Sequence, residues 1–392
     1  MKETKSPLLF LVFSLIFIGL IFISISSLSE ANSTIGDKFF FIKKQGFWLG
    51  LGLICFYITS KIKLETIKKF SFIFYLLSIL GLILVLIPGL GNQALGARRW
   101  LNLGFTSIQP SEILKLSSVI YFAYLFSKVE KRHIKNLILY LGIPFILIII
   151  EPNLSTAILV SAIVGSIYYL SGGDVMPLFG IVSLILVLSI PLIFLSPYRS
   201  ARLKTFLEPQ QNQETTSYHS NQIILTLSSG GLFGKGFANS DQKYKFLPKI
   251  STDSILAVIG EEVGFIGLFV VLLIYLSLIN YLLKFSQTIS DPFQSLLISG
   301  TACWIAYQSL INISAIAALI PLTGVPLPFI SYGGSSLLTL FVAIGLVRNV
   351  EKNQKMLLYS KSDHSQNKKD DHHHRDTPHS SPRTHSTAKS RS

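Results

Sequence analysis

Several ionisable residues stand where a mostly apolar chain would not place them without a use. Glu112 and Lys115 lie three apart in Gln109-Pro-Ser-Glu-Ile-Leu-Lys115. Pro110 suits the first turn of a helix, and that spacing puts both charges on one helical face. They read as an internal ion pair that makes a polar position tolerable, as contacts for a substrate, or as both. Glu151 precedes Pro152 between two apolar runs, where an interfacial cap explains it as well as catalysis does. Glu261 and Glu262 lie about two turns inside another run, open to cation binding or to a structural role. Asp253 closes the segment Leu247-Pro-Lys-Ile-Ser-Thr-Asp253, immediately before an apolar run. As a helix N-cap it would accept a bond from an early helical N–H. As a general base it would take a proton from an acceptor hydroxyl, while nearby cations stabilise charge on an anionic leaving group.

The elements that must position these groups follow from composition. The chain has 392 residues, half of them hydrophobic and only 14% charged, with a mean hydropathy of +0.54. Soluble domains carry about 25% charged residues, so the expected class is an all-α polytopic membrane protein. A hydrocarbon core takes about 20 apolar residues as a helix. Ten segments qualify, near 8–27, 46–60, 70–88, 110–127, 136–150, 154–171, 176–196, 254–283, 291–320 and 331–350. The first is too long for a cleaved leader and has no small-residue cleavage site after it. Cys55 and Cys303, the only cysteines, sit in apolar runs and read as small buried hydrophobes.

Orientation follows from basic residues, which concentrate on the cytoplasmic side. Lys2, Lys5, Lys61, Lys63, Lys68, Lys69, Lys128, Lys131, Arg132 and Lys135 fall on one side only if both termini are cytoplasmic. The long connection 197–253, ahead of the eighth span, is then extracytoplasmic. That outer side also carries Lys43, Lys44, Arg98, Arg99, Arg199, Arg202, Lys204, Lys235, Lys243, Lys245 and Lys249, which raises the question of what they hold. Of the net charge of +14, the tail 351–392 supplies +4 from nine Lys/Arg and five Asp/Glu, leaving +10 on the first 350 residues. Such an excess suits anionic headgroups or an anionic substrate. Nucleic acid is not the expected partner, because no basic stripe is interleaved with aromatics on a soluble face.

Residues 1–350 are thus read as one membrane domain, and 351–392 as a disordered cytoplasmic tail holding six of the eight histidines. His372-His373-His374 could bind a metal ion, but a solvated tail accounts for it. There is no GxxxxGK[ST] loop and no zinc spacing outside the tail. The run Gly230-Gly-Leu-Phe-Gly-Lys-Gly236 only loosely resembles a phosphate cradle.

Taken in order, several strings resemble the SEDS family (shape, elongation, division and sporulation proteins). They are Gly96-Ala-Arg-Arg-Trp100, Gln109-Pro-Ser-Glu112, Tyr198-Arg199 with Arg202, and Ser229-Gly-Gly-Leu-Phe-Gly-Lys-Gly236. Phe246-Leu-Pro248 leading to Thr252-Asp253, Ala257-Val-Ile-Gly-Glu-Glu262 and Pro326-Leu-Pro-Phe-Ile-Ser-Tyr-Gly-Gly-Ser-Ser336 complete the series across roughly 8–350. The double arginine, Leu86-Ile-Pro-Gly-Leu-Gly91 and Gly36-Asp37 before Lys43-Lys-Gln45 lean toward the division branch rather than the elongation branch.

The resemblance implies a ten-span glycosyltransferase that polymerises lipid II into peptidoglycan, with undecaprenyl pyrophosphate leaving by inversion at the anomeric carbon. Asp253 aligns with the catalytic carboxylate, and would deprotonate the 4-hydroxyl of the acceptor GlcNAc. Glu112 and Lys115 align with a polar pair near the substrate groove. Arg98, Arg199, Arg202 and Lys235 are charge-based candidates for the pyrophosphate. The resemblance also implies a bacterial plasma membrane location at the division septum, a class B penicillin-binding protein as partner, and other divisome proteins. No resident cofactor is implied; a divalent cation (Mg or Mn) on the pyrophosphate is compatible, without a visible ligand set. A lipid II flippase and a noncatalytic division scaffold are the alternatives. The chain departs from the family at Asn153 and Ser155, where Asp and Gly are usual. It departs again at Lys249 and Ser251, where an acid and His are common. A cation beside Asp253 favours the ionised carboxylate and weakens it as a base.

Overall fold

The computed structural model describes residues 6–34, 39–94, 97–102, 104, 106–194, 197–207, 216–237 and 252–375. Twelve helices are described: α1 (Pro7–Thr34), α2 (Phe40–Thr59), α3 (Leu64–Leu86), α4 (Pro110–Ser127), α5 (Ile134–Ile150), α6 (Leu154–Leu170), α7 (Val175–Phe194), α8 (Pro197–Leu207), α9 (Thr216–Ser229), α10 (Ile255–Gln287), α11 (Pro292–Ile316) and α12 (Gly334–Arg375). All except α8 and α9 fall on the ten apolar segments; those two lie in the long connection. Stretches of α1, α3, α10, α11 and α12 are long and apolar enough to cross a membrane, and α5, α6 and α7 are shorter apolar helices.

α4 is buried along almost its whole length. On α4, Ser111, Glu112, Lys115, Ser117 and Ser118 are all buried, and the helix packs against α3, α6 and α11. Surrounded by protein, it needs no apolar outer face. By contrast α3 turns Phe70, Phe72, Ile73, Leu76, Leu77 and Leu80 outward while burying Ser71 and Ser78. That inside-out pattern is stable only where the surroundings are hydrocarbon. The hydroxyls of Ser78 and Ser117 meet at 2.7 Å between the two helices.

At one end of the bundle Asn349 donates to the carbonyls of Thr59 (2.9 Å) and Ile62 (2.6 Å), tying α12 to the α2–α3 turn. Asp291 caps α11 through the amides of Phe293 and Gln294 and pairs with Lys68 at 3.1 Å. At the opposite end, between α3 and α4, the chain forms a small sheet that helical periodicity does not foretell. Strands β1 (Gly91–Ala94), β2 (Ala97–Asn102) and β3 (Ser107–Ile108) pair antiparallel in that order. Leu101 faces Ile108, and the register between β1 and β2 shifts at Asn92/Gln93.

Cys55 and Cys303 are free thiols, half-buried rather than fully enclosed. The chain divides into two compact units, Met1–Asn349 and Val350–Ser392. Within the second, helix continues to Arg375, where sequence polarity suggests none. Residues 351–375 contain neither Gly nor Pro, so nothing stops propagation of the helix, and Glu351 and Lys355 pair one turn apart at 3.5 Å.

Candidate functional site

Pro110 opens α4 at its first turn, and from there Glu112 and Lys115 share a face as their spacing requires. Their charges meet at 2.8 Å with both side chains buried. Lys115 Nζ also donates to Gln308 Oε1 on α11 at 2.7 Å and lies 5.5 Å from the ring centre of Trp304. Trp304 Nε1 donates to the same oxygen, while Gln308 Nε2 donates to the Pro326 carbonyl at 2.9 Å. Glu112 Oε2 is buried without a hydrogen-bond partner. Such a pair recovers little more than its desolvation cost, so its presence is weak evidence for stability and stronger evidence for use.

One turn along α11, Asn312 Nδ2 donates to the Val325 carbonyl at 2.8 Å and reaches the Asp253 carbonyl at 3.4 Å. Ser254, not Asp253, occupies the N-cap position of α10, so the aspartate stands one residue outside the helix and half-buried. Its carboxylate faces Gly324: a Cβ there would lie 3.5 Å from Oδ2, and Gly324 has φ +71°. That left-handed conformation is one a side chain rarely adopts. The strap 322–326 between α11 and α12 is thus held by its carbonyls, with Asp253 beside it.

The same strap borders a groove of about 210 Å³ lined by Arg99, Arg199 and Arg202, by 152–155 and by 320–323. Arg202 Nη1 donates to the Leu322 carbonyl at 2.8 Å. Arg199 Nη2 donates to Ile149 at 2.7 Å, and Arg99 donates to Glu151 (3.2 Å) and Pro152. Both arginines therefore satisfy carbonyls at the C-terminal end of α5, where cations are favoured. Burial lowers the Arg199 guanidinium from its ordinary value. Close by, Glu151 is fully buried and neither carboxyl oxygen has a hydrogen-bond partner. Burial pushes this carboxyl up to about 8, against the opposing pull of Arg99.

Lys235 belongs elsewhere. It pairs with the buried Glu261 at 2.8 Å, where α10 is interrupted at Gly264 (φ 72°, ψ −169°). The break frees main-chain groups, and the glycine-rich run meets them. Lys235 and Gly236 amides donate to the carbonyls of Glu261 and Glu262 (2.9 and 3.0 Å), while Phe265 and Ile266 amides donate to Gly231 and Leu232 (3.0 and 3.2 Å). Non-helical backbone at membrane depth survives only when protein satisfies it in this way. The amides of Gly234, Lys235 and Gly236 are therefore engaged, and the run forms a clasp on α10 rather than a phosphate cradle.

The profile of the FtsW/RodA/SpoVE cell cycle proteins matches residues 6–356. This chain belongs to that family. It is 33% identical over 346 residues to the probable peptidoglycan glycosyltransferase FtsW of Coxiella burnetii, covering 86% of this chain and 93% of the relative. Stage V sporulation protein E of Bacillus subtilis is 32% identical over 359 residues, covering 90% and 98%. In fold the chain resembles a solved chain from work on the coordination of polymerization and crosslinking by a peptidoglycan synthase complex. That likeness has a TM-score of 0.73 at 24% identity, over 90% of this chain and 99% of the other.

In this FtsW/RodA/SpoVE chain, α11 and the strap link Asp253 with Glu112 and Lys115, and the groove gathers Arg199 and Arg202. Arg98 does not line that groove; its neighbour Arg99 does, because successive strand residues point to opposite faces. Phe246-Leu-Pro248, Lys249 and Ser251 lie outside the described residues. Trp304, Gln308 and Asn312 were not singled out by sequence, although two amides four apart in an apolar span are a readable polar stripe. No group of three or more His, Cys, Asp or Glu among the described residues could hold a metal ion. The groove lining carries cations, so these residues do not fit a divalent cation, and no step is derived through one.

Proposed function

We propose that the chain is a peptidoglycan glycosyltransferase that polymerises lipid II during septal wall synthesis, with Asp253 as its base and the arginine groove as the seat of the leaving group. The observation that carries this reading is the strap 322–326, which has the Arg202 guanidinium on its Leu322 carbonyl and the Asp253 carboxylate against Gly324. In the step, the acceptor 4-hydroxyl gives its proton to Asp253 and its oxygen bonds to the donor anomeric carbon. The bond from that carbon to the pyrophosphate oxygen breaks, and undecaprenyl pyrophosphate departs with the electron pair. Arg99, Arg199 and Arg202 stabilise the negative charge that develops. Glu112 and Lys115, buried and joined to the strap through Gln308, orient the substrate by way of that strap.

Both termini face the cytoplasm in this account, and the strap, sheet and groove face outward, where lipid II presents its sugars. A class B penicillin-binding protein cross-links the product, with other divisome proteins assembled around the pair. A second reading, lipid II translocation, draws on the buried charge pair on α4. One experiment separates them. The purified protein, with its transpeptidase partner in liposomes, receives labelled lipid II; glycan products and transbilayer movement are read from the same sample. Glycan ladders support the transferase, and movement of intact lipid II with no polymer replaces it with the flippase.

A further inference from the structure

We infer that Asn312 is a positioning residue for the transfer step: its side-chain amide fixes the main chain of Asp253 to the strap that borders the arginine groove. The inference rests on the proposed transferase reading and assigns a role within it.

Asp253 precedes the N-cap of α10, so its carbonyl lies outside the ladder of bonds that orders the helix. Asn312 comes from a different helix, is buried to 3% exposure, and places one Nδ2 between two carbonyls: Val325 at 2.8 Å and Asp253 at 3.4 Å. The first bond fixes the strap, the second the residue that carries the base. Between them lies Gly324, whose position faces the Asp253 carboxylate. Two further side chains hold the same strap by carbonyls, Arg202 at Leu322 and Gln308 at Pro326. A path of direct contacts therefore runs from a groove arginine to the base, and Asn312 is the junction where it reaches Asp253.

The Oδ1 of Asn312 is buried with no hydrogen-bond partner. A side chain selected for stability alone would not leave an acceptor unmatched in the interior. The arrangement makes sense if the donor half is what matters. Asn312 does not touch the reacting atoms in this account; it acts through Asp253. Misplacing a catalytic group by about 1 Å can cost on the order of 100-fold in rate.

The test uses the full-length protein with the proposed transpeptidase partner, comparing Asn312→Asp and Asn312→Leu with wild type. Asn312→Asp keeps nearly the same volume and, when ionised, abolishes the donated bonds; Asn312→Leu keeps the branching, is somewhat larger, and abolishes them outright. The expected result is a fall in kcat of about 10- to 100-fold, with KM for lipid II within threefold or so. Asn312→Asp, but not Asn312→Leu, should also raise the acidic limb of the kcat–pH profile, because a second carboxylate beside Asp253 disfavours its ionisation. Hydrogen exchange supplies a readout independent of activity: amides of 253–258 and 323–327 should exchange at least about tenfold faster in Asn312→Leu, with α4 unchanged. Wild-type kcat in both variants overturns the inference, as does unaltered exchange at 253–258. Loss of kcat and KM together with general loosening of the bundle also overturns it in favour of a purely structural role. Failure of the wild type to polymerise lipid II would instead count against the transferase reading, while the exchange result still decides whether Asn312 holds Asp253.

Discussion

Gly264→Ala tests whether the glycine-rich run is a clasp on an interrupted helix. At φ 72°, ψ −169°, the backbone occupies a region essentially reserved for glycine, and a side chain there costs about 1–3 kcal/mol. The added Cβ would also lie 2.4 Å from the Gly234 nitrogen and 2.5 Å from the Leu232 carbonyl oxygen. Both are main-chain atoms, so relief requires the clasp to part from α10. Parting strains the bonds from Phe265 to Gly231 and Ile266 to Leu232, each contributing about 1 kcal/mol. The combined loss is about 3–5 kcal/mol. It is read by thermal unfolding of the detergent-solubilised protein, followed by size-exclusion chromatography. Gly142→Ala is the control: a Cβ there meets nothing within 4 Å, so the change should gain about 0.5–1 kcal/mol of helix stability. If Gly264→Ala unfolds within about 1 kcal/mol of wild type, the clasp does not depend on that glycine and the reasoning fails.

Three other outcomes follow from the same geometry. Lys115→Met leaves Glu112 buried without its cation and should cost about 3–5 kcal/mol. The double variant Glu112→Gln/Lys115→Met should recover most of that stability but not polymerisation; thermal unfolding and glycan synthesis in parallel check both halves. Arg202→Lys cannot reproduce a planar fork that reaches the Leu322 carbonyl and a phosphate together. It should weaken inhibition by added undecaprenyl pyrophosphate about tenfold, near 1.4 kcal/mol. Glu151 has a folded pKa raised above that of the unfolded chain, so the native state holds a proton the unfolded state releases, and stability falls as pH rises toward about 8. Glu151→Gln should therefore match wild type near pH 4 and gain on it progressively up to about 8, levelling off above. Equal differences in unfolding temperature at pH 5 and pH 9 would contradict that burial.

Much of the architecture was legible because the bilayer imposes a length and a polarity on each span. The apolar runs fall on helices, and Pro110 with the spacing of Glu112 and Lys115 gives the start of α4 and its paired face. The sheet between α3 and α4 was not legible: β2 is short, bulged against β1, and contains two arginines that mask alternation. That is also why Arg98 stood out instead of Arg99. The clasp was hidden because its glycines answer a break in a distant helix, and only tertiary contact shows which backbone groups meet. Ser254 at the N-cap illustrates the usual uncertainty of a helix boundary by one residue. Here that residue separates a structural cap from a carboxylate placed beside the strap.

The central claim is that Asp253 takes the acceptor proton. Its most direct measurement is single-turnover synthesis of glycan from lipid II by the purified protein with the proposed transpeptidase partner, comparing wild type with Asp253→Asn. Lipid II binding is measured on the same preparations. The account predicts that Asp253→Asn binds lipid II within a few-fold of wild type and forms no detectable glycosidic bond. Glycan synthesis by Asp253→Asn at a rate close to wild type would contradict it and move the base to another residue.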